Sequence, residues 1–241
     1  MGRGGARNAG PHLESEDYTN NKKEVLPFPL TVVDRHNLSI TDEQFEPHTW
    51  EELKQIVAEN KLEVLRRWPS DLKRYIRWSA ATKEEYGSIM AYVMQKRLKW
   101  LPSANSTPET GLSFDYKDPV PFKDSSDWQI LPNDWPYGLD KGISHLIVWL
   151  KNRLEVEPPR GDLTPSARTM IEHFVQKEFV ESIAEMTGDG TDKVIWFKNW
   201  VSLQSVPGID HVHVLIRDVP RDFIDRRWTD GERPVQDMTH V

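Results

Sequence analysis

The sequence predicts an α+β fold, a single domain of N-terminal helices packed on a small, mainly antiparallel sheet. Three observations predict it. Helix start signals crowd the first part of the chain. Apolar runs of strand length crowd the rest, and one capped helix lies among them. The order is therefore helices first and strands after, the α+β arrangement. A length of 241 residues suits one domain with tails.

Residues 1–25 are rich in Gly, Asn and charge and read as a disordered tail. The domain is expected over 26–217. Thr49-Trp50-Glu51-Glu52 is a capping box that opens a helix through about Arg67. Ser70 caps a short helix through Trp78. Thr82-Lys83-Glu84-Glu85 is a second capping box, opening a helix from Lys83 to about Leu98 that Pro102 ends. Residues 102–127 carry no periodicity and predict a long loop, and Asn133–Gly138 a tight turn. His145–Leu150 is an apolar run of strand length. Thr164-Pro165 caps a helix through about Ile183, and Lys193–Lys198 and His211–Arg217 are two further strands. Residues 218–241 read as a loose polar tail.

Composition excludes several classes. No cysteine is present, so there is no disulfide, thiolate metal site or cysteine nucleophile. No apolar run approaches the ~20 residues of a membrane span, and the N-terminus lacks a secretory leader. A cytoplasmic protein with no membrane partner is expected. There is no Walker loop and no dinucleotide fingerprint, and no cofactor is expected.

The charge is uneven. Lys61–Trp100 holds ten basic residues against four acidic ones, so it carries +6 while the remainder carries -13 of the chain's net -7. Arg66, Arg67, Lys73, Arg74 and Arg77 interleave with Trp68, Tyr75 and Trp78, and Lys96, Arg97 and Lys99 follow. Such a surface could neutralise the phosphates of a nucleic acid, or be a solvated helical face paired with acidic neighbours.

Polar groups gather at the strand ends. His211 and His213 alternate along a strand and so share one face. With His145 they fall short of a closed metal site, and no metal is expected. Lys198 and Asn199 end a second strand, and Asn133, Asp134 and Tyr137 lie in the turn, where they could be turn residues alone. Asn199, Gln204, Ser205-Val206-Pro207 and His211-Val212-His213-Val214 resemble the histidine-triad nucleotide hydrolases and transferases. The resemblance makes His211 the nucleophile at phosphorus and His213 the third triad position, while the first falls on Ile209.

Longer stretches carry a second resemblance. LPNDWPYG at 131–138, HLIVW at 145–149, VIWFKNW at 194–200 and LQSVPGIDHVHVLIRD at 203–218 resemble the fungal N-acetylglucosamine-induced family, as do RWPSDLKRYIRW at 67–78 and YGSIMAYVMQKRLKW at 86–100. A branch related to it is the arginine-containing cyclodipeptide synthases. That branch implies acyl transfer from arginyl-tRNA and a second charged tRNA, with no DNA partner, on the basic surface of Arg66, Arg67, Lys73, Arg74, Arg77, Lys96, Arg97 and Lys99. Asp134 or Asp140 would hold the arginine side chain, and Trp135, Trp149 and Trp196 a second, aromatic amino acid. His211, His145 or Tyr137 would be the base, with His213, Lys198, Asn199 and Gln204 beside it. The branch's Asp-Asp-x-x-Glu motif has no counterpart here. A third expectation is a non-enzymatic regulator of the N-acetylglucosamine response.

Overall fold

The structure, a computed structural model, describes residues 26–107 and 111–235. The segment 1–25, read as a disordered tail, lies outside them, as does 236–241.

Helices come first. Thr31 and Asp34 close a reciprocal capping box on α1 (Val32–Leu38), and Thr49 caps α2 (Trp50–Ala58) by accepting the Glu52 N–H. Proline at the first helical position opens α3 (Pro69–Tyr86), and Gly87, with φ of 80°, ends it. Ser88 caps α4 (Ile89–Tyr92), which widens into a π-helical turn, Val93–Leu98. Strands follow: β1 (Trp128–Pro132), β2 (Ile143–Leu150) and the short ribbon β3 (Val156–Glu157) and β4 (Asp162–Leu163). Helix α5 (Pro165–Val175) runs through a π turn, Gln176–Val180, into α6 (Glu181–Thr187). The chain then forms β5 (Val194–Phe197), β6 (His211–Arg217) and α7 (Arg221–Ile224), which continues as a third π turn, Asp225–Thr229.

The main sheet has the order β1-β2-β6-β5, and every neighbouring pair is antiparallel. The expected α+β domain is thus observed. Alternation along β2 and β6 divides their residues between two faces. Leu146, Val148, Leu150, Val212, Val214 and Ile216 are each at most 1% exposed and pack against α5, α6 and Ile224 and Trp228. The opposite face carries His145, Ile147 and Trp149 on β2 and His211, His213 and Leu215 on β6, in register as Trp149↔His211, Ile147↔His213 and His145↔Leu215. Two apolar clusters cover this second face, one built on α2 and one on α4. Imidazoles therefore lie between the sheet and the N-terminal helices.

Several boundaries differ from expectation. The first helix ends at Ala58 rather than Arg67. The break expected near Thr82 falls at Gly87–Ser88 instead: the Thr82 side chain is buried within α3, and the helix expected from Lys83 to about Leu98 is divided between the end of α3 and α4 with its π turn. Strand β1 was not foreseen. The C-terminal segment is not a loose tail as far as Val235: Ile224, Trp228 and Val235 are all buried, and Trp228 Nε1 donates to Glu178 at 3.1 Å.

Candidate active site

A cavity of about 140 Å³ opens between the histidine-bearing sheet face and helices α3 and α4. Ile147, Trp149, Trp78 and Val93 form apolar walls, and Arg67, Asp134, Tyr137, Asn199, His211 and His213 supply polar groups. The mixture of apolar surface and few polar groups is typical of a small-molecule site.

His211 is the best-defined group. Its Nδ1 lies 2.8 Å from the Ile209 carbonyl oxygen. A carbonyl can only accept, so Nδ1 carries the proton and Nε2 of the neutral ring keeps its lone pair. No described residue hydrogen-bonds to that Nε2. The ring rests against Trp149 at 4.6 Å between centroids. Burial first, and then the Lys198 charge, depress its pKa to about 4, opposed by the Ile209 carbonyl and Asp210. The ring is neutral at physiological pH.

His213 and His145 are diagonal neighbours across the β2–β6 register, and His213 Nδ1 lies 2.9 Å from His145 Nε2. The Asn199 amide sits 3.3 Å from both His213 Nε2 and Tyr137 Oη. Asn133, oriented by accepting the Trp135 N–H, faces the His145 ring. Phe197 stacks on His213 at 4.8 Å and Tyr137 on His145 at 5.4 Å. Burial pushes His145 down to about 3 and His213 well below the usual range, with Arg67 lowering both further.

The backbone beside Arg67 is fixed from three sides. The Arg66 carbonyl accepts the Gly138 N–H at 2.7 Å, the Arg66 N–H donates to His48 Nε2 at 3.1 Å, and the Arg67 carbonyl accepts from Asn37. Beneath the site a buried ion pair joins Lys198 Nζ to Asp210 Oδ1 at 3.1 Å. Its two members immediately precede Asn199 and His211.

The expected site residues separate into groups. His211, His213, Tyr137, Asn199, Asp134, Trp135, Trp149, Arg67 and Arg97 all line the cavity. His145 lies behind His213, and Gln204 buttresses the site by donating to the Asn199 carbonyl at 2.6 Å. Lys198 is taken up by Asp210. Trp196 is a correction: strand alternation turns it to the other face of the sheet, beneath Arg168. Asp140 is not among the lining residues; its N–H donates to the His48 carbonyl.

The basic surface is smaller than the sequence suggests. Arg97 is 7% exposed and bridges Asp134 at 3.1 Å and Glu232 at 2.9 Å. Arg74 pairs with Asp71, and Arg66 covers the Phe45 ring. Lys73, Arg77, Lys96 and Lys99 remain exposed. Sequence reasoning missed Trp78 and Ser205 as lining residues and Asp210 as the Lys198 partner. The pairing of β5 with β6 brings Lys198 to Asp210, and the packing of α3 over the sheet brings Trp78 to the cavity.

A family model described as "Protein of unknown function (DUF3605)" matches residues 49–217, a span that contains every lining residue. The chain belongs to the DUF3605 family. It is 30% identical over 198 residues to N-acetylglucosamine-induced protein 1 of Candida albicans, covering 79% of this chain and 76% of that protein. It is also 31% identical over 168 residues to uncharacterized protein YPL067C of Saccharomyces cerevisiae, covering 69% and 77%. The crystal structure of HTC1 superposes with a TM-score of 0.50 at 26% identity, covering 80% of this chain and 93% of that one. The DUF3605 match and the Candida relative agree with the fungal N-acetylglucosamine-induced resemblance. No helix among the described residues is long and apolar enough to cross a membrane.

The buried histidines give this DUF3605 protein an expected acid sensitivity. A histidine depressed from about 6.5 contributes stability that is present above pH 6.5 and is lost as pH falls toward its folded value. His145, His211 and His213 all run this way, each with a slope of roughly 1.4 kcal/mol per pH unit. Asp134 runs oppositely: burial raises its carboxyl to about 6 despite Arg97, so its contribution fades as pH rises from about 4 through 6. Three groups outweigh one. Urea unfolding should show a clearly lower midpoint at pH 5 than at pH 7, and an unchanged midpoint would mean that the rings are charged in the folded protein.

Proposed function

We propose that this protein is a hydrolase or transferase of nucleotide phosphoesters or phosphoramidates, with His211 as the nucleophile. One observation carries the reading. The Ile209 carbonyl fixes the proton on Nδ1 and leaves the Nε2 lone pair available in an aromatic-walled cavity. In the first step Nε2 attacks phosphorus and the bond to the leaving group breaks, the leaving group taking a proton from water. The ring, now phosphorylated on Nε2 and still protonated on Nδ1, is positive. The Ile209 carbonyl and Asp210, which favour a charged ring, stabilise it. Water then attacks phosphorus and gives its proton to the hydroxide left by the first step, the histidine–phosphorus bond breaks, and neutral His211 returns. His213, held by His145 and Asn199, lies beside the reacting ring at 5.4 Å between centroids.

The test is to incubate the protein with adenosine 5′-phosphoramidate, quench, and map adducts by peptide mass spectrometry. A nucleotidyl group on His211 is expected. Turnover without an adduct on any histidine would sink the nucleophilic role.

A second reading is tRNA-dependent cyclic dipeptide synthesis. It is supported by Lys73, Arg77, Lys96 and Lys99, exposed on the elements whose inner faces line the cavity. Against it, Asp134 is already paired with Arg97, and Asp140 lies outside the cavity lining. Charged total tRNA should then yield an arginine-containing cyclic dipeptide, and intact arginyl-tRNA at the end would remove this reading. The name of the Candida relative describes its induction, and the enclosed site gives little support to a purely regulatory role.

A further inference from the structure

Two guanidinium groups reach the cavity, and they differ in one respect. Arg97 is neutralised by Asp134 and Glu232. Arg67 has no carboxylate partner among the described residues. Its Nε donates to the Trp135 carbonyl at 3.1 Å, and its plane lies 4.5 Å from the Tyr75 ring centroid and 5.5 Å from that of Tyr137. None of these contacts uses the terminal nitrogens, which have no acceptor among the described residues. An arginine stays charged in any protein setting, and the half-buried Arg67 has aromatic faces rather than carboxylates beside it. The titratable rings beside it, His145 and His213, are neutral and supply no countercharge.

Arg67 lines the same cavity as His211, and Trp135, whose carbonyl anchors it, is 4% exposed and so holds it firmly. A cation in a cavity whose terminal nitrogens lack an acceptor favours an oxyanion.

We infer that the terminal nitrogens of Arg67 form a subsite for a second anionic group of the substrate, separate from the group that reacts at His211. The inference rests on the proposed role of His211. Arg67 lies against Tyr137, which stacks on His145, whereas His211 rests against Trp149. The ligand class is a nucleoside diphosphate or an ester of one, in which one phosphate meets His211 and the neighbouring one meets Arg67.

The experiment is calorimetric titration of the full chain carrying His211→Asn, which cannot form the adduct, with ADP, AMP and inorganic pyrophosphate. ADP should bind about tenfold or more tighter than AMP, reflecting a charge-assisted contact to the second phosphate. Adding Arg67→Gln should bring ADP down to the affinity of AMP while AMP itself changes by less than roughly threefold, which also shows that the variant is folded. Adding Arg67→Lys should restore part of the preference, because the charge returns without the planar fork. Equal losses for AMP and ADP, or no loss for either, would overturn the subsite. Pyrophosphate binding that depends on Arg67, without binding of either nucleotide, would uphold the subsite and remove the nucleotide reading. Absence of all binding would overturn the inference.

Discussion

His211→Ala is expected to lose turnover and the covalent adduct together, a fall of roughly 10³-fold or more, as for other nucleophiles that act within a unit. Neither of the other two histidines is placed to take over. His213 has Nδ1 against His145 and Nε2 against the Asn199 amide, and the His145 ring nitrogens face His213 and Asn133. His211→Asn separates chemistry from packing, because it keeps a polar group on β6 while removing the proposed nucleophile. Thermal melting should show this variant folded and single-turnover assays should show it inactive. His145→Gln removes only a partner of His213 and is expected to cost about tenfold to a hundredfold, the scale of an outer supporting contact. Wild-type turnover by His211→Asn would return the site to an undetermined base.

Asp210→Ala is expected to destabilise the fold by about 3–5 kcal/mol, the cost of leaving a buried charge unpaired. The Lys198 side chain is only 3% exposed, so water cannot replace the lost carboxylate. Asp210 Oδ2 also accepts the Leu154 N–H at 3.1 Å, and that donor would be orphaned too. Truncating both partners tests the cause. Lys198→Met with Asp210→Leu exchanges the pair for apolar groups and should recover much of the loss, since a buried ion pair often contributes little over an apolar replacement. Urea unfolding measures all three proteins. A single variant within about 1 kcal/mol of wild type would show that Lys198 finds another route to solvent or to a partner. Because Asn199 and His211 adjoin the pair, any fall in stability should be accompanied by a loss of the adduct.

The strands of the core were legible because β2, β5 and β6 are apolar runs bounded by polar residues. Strand β1 was not, since Trp128–Pro132 is short, ends in proline and pairs only with β2 at one edge. The Thr82 signal misled because burial of its side chain outweighs a local capping pattern. The C-terminal elements were hidden by their charge: Ile224 and Trp228 are spaced among arginines and aspartates that pair with one another. In the site, alternation revealed that His211 and His213 share a face. The meeting of His145 with His213 depends on inter-strand register, which no single segment encodes. Arg67 was read as part of an outer basic surface because sequence carries no information on which arginines turn inward.

The C-terminal π turn lies along β1, the terminal strand of the main sheet. Ile224 and Trp228 pack on the sheet face beside Leu146 and Val148, and Val235 is buried against Leu72, Tyr75 and Trp135. The Val235 N–H also donates to Asp134, and Glu232 pairs with Arg97. The segment that looked dispensable in the sequence is therefore a brace for one wall of the cavity: a chain cut short before Arg221 would strip Arg97 and Asp134 of partners that hold them in place.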